Sequence, residues 1–241
     1  MKFQSDYDRW HARNQELDPG HDDASTPWYS WLEQVLGDVQ GLRVLEVACG
    51  RGGFLKRLSK AGARAYGMDF SFAAVRLAKA KTLDTDPPVP ACVVQGDAHA
   101  LPFPDAVFDV VISCETIEHL PHPEKAVGEF YRVARPGALL YLTTPNYLNF
   151  MGLYEIYSKF RHPGRKGDQP FDRLQMFSQT RALLKHAGWR ITASDGMVHQ
   201  LPLIPGRNPV PLEGLDSNVF LRRALRIFAY HYCLIARKEE V

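Results

Sequence analysis

Just past an apolar run, Glu115-Thr116-Ile117-Glu118-His119 places two carboxylates and an imidazole close together in the chain. In a helical turn Glu115 stands three residues from Glu118 and four from His119, so all three share a face. Such a set can take a proton from a substrate or hold a cation, and an imidazole titrating at about 6.5 suits proton removal at neutral pH. Other acidic residues punctuate the chain upstream. Glu46 precedes a loop, Ala48-Cys49-Gly50-Arg51-Gly52-Gly53, and Asp69 and Asp97 each follow a later apolar run. A glycine turn between a strand and a helix lets backbone approach a nucleotide-like ligand closely. A dinucleotide brings its pyrophosphate to such a turn, where the Glu46 carboxylate repels it; a ligand carrying an ammonium suits Glu46 better. Asp69, about twenty residues past the loop, can accept from both hydroxyls of a ribose. Asp97 can accept from an adenine amino group while the Ala98 amide donates to a ring nitrogen. Each position also has a structural reading: a helix-start acid at Asp69, an Asx turn at Asp97, and a plain turn at the glycines.

The elements that must position these residues alternate regularly. Arg64–Asp69, Ala91–Gln95, Phe108–Ser113 and Ala138–Thr143 read as strands, the third apolar enough to be buried on both faces. Between them lie helices: one opening at Phe54, one capped by Ser71 just after Phe70, and one from Pro123 to Ala134. Farther on, Ser178 is expected to cap a helix that ends at Gly188. A strand at Trp189–Ala193, a helix at Val219–Tyr230 and a strand at Tyr232–Ala236 follow. This order predicts an α/β fold, a doubly wound, mostly parallel seven-stranded sheet with ligands at the carboxyl ends of its strands. Residues 1–40 are expected to form a helical lid on a main domain of residues 41–241. Irregular composition marks a substrate cap at about 145–177 and a second insertion at about 196–229.

Composition narrows the function classes. The chain has 241 residues, 45% hydrophobic, with a net charge of +2, enough for one buried core and without the basic field of a nucleic-acid partner. Four scattered cysteines, Cys49, Cys92, Cys114 and Cys233, form no C-x-x-C and suit a reducing compartment. With no signal-like start and no run near the roughly 20 apolar residues of a bilayer span, a cytoplasmic location is expected.

Several segments together resemble a known family. Glu46–Gly52 is similar to the first motif of class I S-adenosylmethionine-dependent methyltransferases, E/D-x-G/A-x-G-x-G, with Ala48 at the first small position. Leu101-Pro102-Phe103-Pro104-Asp105-Ala106-Val107-Phe108-Asp109-Val110-Val111 resembles the L-P-F-x-D-x-x-F-D-x-V segment of the small-molecule members. The resemblance spans about Leu42 to Thr144. It implies S-adenosylmethionine as cofactor and S-adenosylhomocysteine as product. Glu46, Ala48, Cys49, Gly50 and Gly52 would hold the methionyl part, Asp69 with Phe70 and Ser71 the ribose, and Asp97 with Ala98 the adenine. Cys114 and Glu115 would stand beside the reacting centre. The segment from Glu115 to His119 resembles the E-x-x-E-H of ubiquinone-pathway O-methyltransferases. That likeness makes Glu115, Glu118 and His119 candidate ligands of a divalent metal such as Mg²⁺, with His119 alternatively the general base.

The implied acceptor is a small aromatic or lipid-like hydroxyl compound. Tyr147, Phe150, Tyr154 and Tyr157 would line its cap, and Arg161, Arg165 and Lys166 would permit peripheral membrane contact. Trp28 or Tyr29 would close over the cofactor, and Arg9 or Arg13 would pair with its carboxylate. Methylation at nitrogen or carbon, or a cofactor-binding partner subunit without activity, are the alternatives.

Overall fold

A computed structural model describes residues 2–19, 25–84, 91–147, 153, 170–174, 176–201 and 210–240. In chain order its elements begin with α1 (Lys2–Leu17), α2 (Pro27–Val35), β1 (Arg43–Val47), α3 (Gly53–Lys60), β2 (Arg64–Asp69), α4 (Phe72–Leu83) and β3 (Cys92–Gln95). They continue with β4 (Phe108–Cys114), a 3₁₀ turn (Ile117–His119), α5 (Pro123–Val133), β5 (Ala134–Pro145), α6 (Phe177–His186) and β6 (Trp189–Met197). A short hairpin, β7 (Gln200–Leu201) and β8 (Val210–Pro211), leads to α7 (Glu213–Ser217), α8 (Val219–Ala224), a 3₁₀ turn (Arg226–Phe228) and β9 (His231–Lys238).

The large sheet has seven strands in the order β3-β2-β1-β4-β5-β9-β6. All its pairs are parallel except those of β9, which runs antiparallel to both β5 and β6. Apolar runs buried on both faces explain the centre of the sheet, where Val44, Leu45, Val47, Val111 and Ile112 are wholly buried. One face packs on Ala126, Val127 and Phe130 of α5 and Leu184 of α6; the other packs on Trp31 and Leu32 of α2, Phe54 and Leu55 of α3, and Val75 and Ala78 of α4. The expected doubly wound, mostly parallel sheet is what forms.

Strand order reverses between β1 and β4, so the helices that follow them leave on opposite faces and open a crevice at their carboxyl ends. Register makes those ends level: Val47 pairs with Met68 and with Ser113, and Asp69 pairs with Gln95. The loops after Val47, Asp69, Gln95 and Cys114 therefore share one rim.

Local expectations differ from the structure in three places. Helix α6 starts at Phe177, with the Gln179 side chain accepting from the Met176 amide, so Ser178 lies inside the first turn instead of capping it. The helix expected over Val219–Tyr230 stops at Ala224 and continues only as a 3₁₀ turn. An amphipathic reading puts Arg222 in solvent, yet it is 5% exposed and doubly bonded to the buried Asp195, at 2.9 Å from Nε and 2.9 Å from Nη2. Of the cap expected at 145–177, Phe150, Tyr154, Tyr157, Arg161, Arg165 and Lys166 lie outside the described residues, as do residues 202–209 of the second insertion.

Asp195 also accepts from Trp31 Nε1 at 3.2 Å and from the Gly196 amide at 3.0 Å, which ties α2 to β6 and α8. Removing one member of a buried ion pair leaves the other charge uncompensated, at about 3–5 kcal/mol. Arg222→Ala is expected to lower the thermal midpoint by about 10 °C in a domain of this size, as read by circular dichroism. A shift within about 2 °C would show that the pair contributes little.

Candidate functional site

A cavity of about 790 Å³ opens on the rim at the carboxyl ends of β1 to β4. Of the residues singled out in the sequence, Ala48, Cys49, Gly50, Asp69, Phe70, Asp97, Ala98, Cys114, Glu115 and His119 line it. Glu46, Gly52, Ser71 and Glu118 lie behind the wall.

The loop after β1 is shaped by left-handed backbone. Gly50 has φ +53 and Gly52 φ +76, and Ala48 has φ +57 without glycine's freedom. This conformation favours glycine, and Ala48 holds it at a cost in backbone strain. The Gly50 amide donates to Asp69 Oδ2 at 2.9 Å, and the Ser71 amide to Asp69 Oδ1 at 2.9 Å. A carboxylate offers about four acceptor sites, so Asp69 keeps lone pairs for donors in the cavity. Burial raises its pKa above the ordinary value, and the nearby His11 pulls it back down. Ionised Asp69 is therefore short of solvation, a deficit that ribose hydroxyls would relieve.

Gly52 serves the cradle by packing. A Cβ there would stand 2.8 Å from both Cα and Cβ of Ala78 in α4. Gly52→Ala combines that overlap with a left-handed φ and is expected to cost about 2 kcal/mol. A urea titration should show the loss, with cofactor affinity of the folded protein within about threefold of wild type. A much larger affinity loss at unchanged stability would place Gly52 in contact with ligand.

Ser71 acts behind Asp69. Its Oγ caps α4 by accepting from the Ala74 amide at 3.2 Å and donates to Asp8 at 2.6 Å. Asp8 also accepts from the Ala73 amide at 3.1 Å, so a residue of α1 caps the start of α4. Arg51 adds a second tie, from Nη1 to Gln15 at 3.2 Å and to the Asp18 carbonyl at 3.0 Å. Held this way, α1 puts Tyr7, Trp10, His11 and Asn14 on the cavity wall, with Asp18 just past its end. These positions were missed, although their three- and four-residue spacing marks one helix face. The opposite face carries the expected partners of the methionyl carboxylate: Arg9 pairs with Asp6, and Arg9 and Arg13 sit on the outer side of α1. The buried Arg51, which lines the cavity, is the guanidinium in reach of a ligand there.

Trp28 and Tyr29 both line the cavity. Tyr29 stacks on Phe54 with centroids 4.5 Å apart and donates its hydroxyl to Glu46 Oε1 at 2.6 Å. Glu46 is 1% exposed, so it meets the site through Tyr29. At the other end Asp97 Oδ1 engages the His99 amide at 2.9 Å and His99 Nδ1 at 2.6 Å. Burial pushes the Cys114 thiol well up, with the Glu46 charge adding to it, so Cys114 stays protonated and packs as a small apolar residue.

The segment after β4 departs from the shared helical face. Its 3₁₀ turn covers only Ile117–His119, and Glu115 stands outside it with φ +48. The three side chains take separate partners. Glu115 Oε2 meets His231 Nδ1 at 2.8 Å, Glu118 Oε2 accepts from Thr144 Oγ1 at 2.9 Å, and His119 Nδ1 lies 2.7 Å from the Phe171 carbonyl. Among the described residues no group of three or more His, Cys, Asp or Glu side chains converges as a metal would require. The donor set of Glu115, Glu118 and His119 thus does not fit Mg²⁺, which also demands a near-octahedral oxygen shell.

A carbonyl can only accept, so His119 Nδ1 carries the proton and Nε2 presents a lone pair. Burial lowers the His119 pKa below 6.5, against the Phe171 bond and the charges of Asp172 and Glu115. His119, which lines the cavity, is thus neutral at neutral pH, and its Nε2 lies 3.6 Å from Glu118 Oε1. Glu118 behind it is raised well above the carboxylate range by burial, and next by the Glu115 charge.

Comparison with known proteins agrees with this geometry. Residues 45–142 match the family described as a methyltransferase domain. Over that stretch, less than half of its length, the chain is similar to methyltransferase domains. It is 30% identical over 145 residues to a ubiquinone biosynthesis O-methyltransferase of Pseudomonas fluorescens, covering 60% of this chain and 61% of that one. A demethylmenaquinone methyltransferase of Renibacterium salmoninarum is 31% identical over 133 residues, 55% and 54% of the two chains. The chain thus spans about three fifths of the length of the curated relatives it matches, 61% for the first.

Solved structures share the fold of nearly the whole chain. A SAM-dependent methyltransferase from Thermotoga maritima, described as a possible histamine N-methyltransferase, superposes with TM-score 0.66 at 17% identity, covering 98% and 99% of the two chains. The [4+2]-cyclase SpnF gives TM-score 0.67 at 18% identity, covering 99% and 96%. At these identities the likeness is one of fold, and it includes a protein named for a different reaction. Among the described residues no helix is long and apolar enough to cross a membrane.

Proposed function

We propose that this protein transfers the methyl group of S-adenosylmethionine to a hydroxyl oxygen of a small aromatic or lipid-like acceptor. The observation that carries the reading is that Asp69, the Ala48–Arg51 loop and His119 open on one cavity. The residues present suit the cofactor. Asp69 would take the ribose hydroxyls, Asp97 and the Ala98 amide the adenine, and the loop after β1 the methionyl part, with Glu46 behind Tyr29. Bound there, the cofactor would supply an electrophilic methyl on a sulfonium.

The protein's part is to hold the acceptor oxygen in line with that methyl and to take its proton. His119 Nε2 has the lone pair for the second task, and its ring is fixed by the Phe171 carbonyl. Holding nucleophile and methyl in near-attack geometry supplies much of the remaining rate, with no nucleophile required from the protein. The name of the first relative, an O-methyltransferase, supports an oxygen acceptor.

Incubation with methyl-labelled S-adenosylmethionine and a panel of catechols, phenols and aryl amines tests the assignment. Labelled aryl ethers support it. Label on the amines alone would replace it with N-methylation.

A further inference from the structure

The function proposed above gives Tyr7 no task. This residue of α1 lines the cavity, and its buried hydroxyl has no hydrogen-bond partner among the described residues. Burial holds the phenol pKa well above its ordinary value of 10.0, and the Asp69 charge adds to the shift. The Phe171 backbone opposes it, as an amide turned toward the phenol oxygen does and a carbonyl would not. The phenol therefore keeps its proton, and no described group accepts it.

The position of the phenol is fixed on two sides. Asp8, the next residue, accepts from Ser71 Oγ at 2.6 Å and from the Ala73 amide at 3.1 Å, at the start of α4 just past Asp69. Phe171 lies beside the phenol while its carbonyl holds His119 Nδ1 at 2.7 Å. Two residues on, the Arg173 amide donates to the Glu118 carbonyl at 2.9 Å and pins that segment to the 3₁₀ turn. Tyr7 thus stands where the ribose end of the cavity meets His119.

Lone pairs decide what such a donor can serve. A hydroxyl oxygen has one proton and two lone pairs. With the proton given to His119 and one pair aimed at the methyl, the second pair is left to accept. A neutral amine nitrogen has a single pair, which the attack consumes, and a protonated amine has none. A buried donor left unmet costs free energy that an oxygen acceptor would recover.

We propose that Tyr7 donates to the acceptor oxygen and so selects hydroxyl over amine acceptors. This rests on the methyltransferase reading above. The acceptor proton passes to His119 Nε2, and the new O–C bond forms as the methyl–sulfur bond breaks. The sulfur keeps the electron pair of that bond, and Tyr7 keeps its proton throughout.

Tyr7→Phe keeps the ring and removes the donor. The probes are 4-nitrophenol and 4-nitroaniline, which differ only in hydroxyl against amine. Each is titrated by absorbance into wild type and variant, with saturating S-adenosylhomocysteine and again without it. The substitution is expected to weaken 4-nitrophenol by about threefold or more, the scale of one buried hydrogen bond, and to leave 4-nitroaniline unchanged. S-adenosylhomocysteine affinity should stay within about twofold and the thermal midpoint within about 2 °C, since no contact within the protein is lost. A smaller loss for 4-nitrophenol, an equal loss for both probes, or no saturable 4-nitrophenol binding overturns the proposal. A lower midpoint or weaker S-adenosylhomocysteine binding in the variant also overturns it, by giving the hydroxyl to the fold or to the cofactor. Failure of S-adenosylhomocysteine to bind wild type would instead overturn the methyltransferase reading, leaving the cofactor-free titrations to decide the role of Tyr7.

Discussion

Asp69→Ala is expected to reduce S-adenosylhomocysteine affinity by about 100-fold or more. Two hydrogen bonds from ribose hydroxyls to an ionised, buried carboxylate correspond to about 3–4 kcal/mol together. The same change frees the Gly50 and Ser71 amides that Asp69 accepts from, so stability should fall as well. Asp69→Asn keeps one acceptor oxygen, so one of the two amides loses its partner, and it loses the charge. It should be less destabilised than Asp69→Ala and still bind about tenfold or more weakly.

The pH dependence has a definite sign. The folded pKa of Asp69 is raised by burial. The neutral form is favoured in the folded cavity, and the associated stability is full below the unfolded value and lost as pH rises through the folded one. Cofactor affinity runs the opposite way. It is full at neutral pH and declines as pH falls into the raised range of Asp69, above the ordinary 3.8. Calorimetry showing unchanged affinity in both variants would remove Asp69 from the ribose site.

His119→Ala should lower kcat/KM for a hydroxyl acceptor by about 10²–10⁴-fold, the range for loss of a general base. Cofactor affinity should stay within a few-fold of wild type. The base must be neutral to act, and burial lowers its pKa below 6.5. The acid limb of the wild-type profile should therefore fall below pH 6.5, leaving the rate flat through neutrality. His119→Gln retains a polar side chain but not the base, and should lose the acid limb with the activity. A limb centred above 6.5, or one that persists in the variants, would assign the proton to another group. Glu115, Glu118 and Asp172 face His119, and His231 faces Glu115, so these are the groups to examine next.

The sheet and the left-handed loop after β1 were legible because they obey local rules. Doubly buried strands are continuous apolar runs, and a level rim follows from parallel register. What escaped depends on contacts distant in sequence. Asp8 caps a helix 63 residues away, and that cap brings Tyr7, His11 and Asn14 to the cavity while Arg9 and Arg13 turn away. A helical N-terminal segment was expected, but its docking partner was not.

The segment from Glu115 to His119 misled for a different reason. Spacing defines a shared face only if every residue is helical, and Glu115 takes a left-handed conformation that no propensity assigns to glutamate. The β4 end then sends Glu115 toward His231, Glu118 toward Thr144 and His119 toward Phe171, and the metal-ligand set comes apart. At Arg222 the helical pattern was sound, but burial against Asp195 reversed which face is covered.

The most direct test of the central claim is calorimetric titration of the purified wild-type protein with S-adenosylmethionine, S-adenosylhomocysteine and NAD. Saturable one-to-one binding of the two sulfur-containing ligands, in competition with each other and without measurable NAD binding, is the predicted result. Folded protein that binds neither, or that binds NAD in preference, would contradict it.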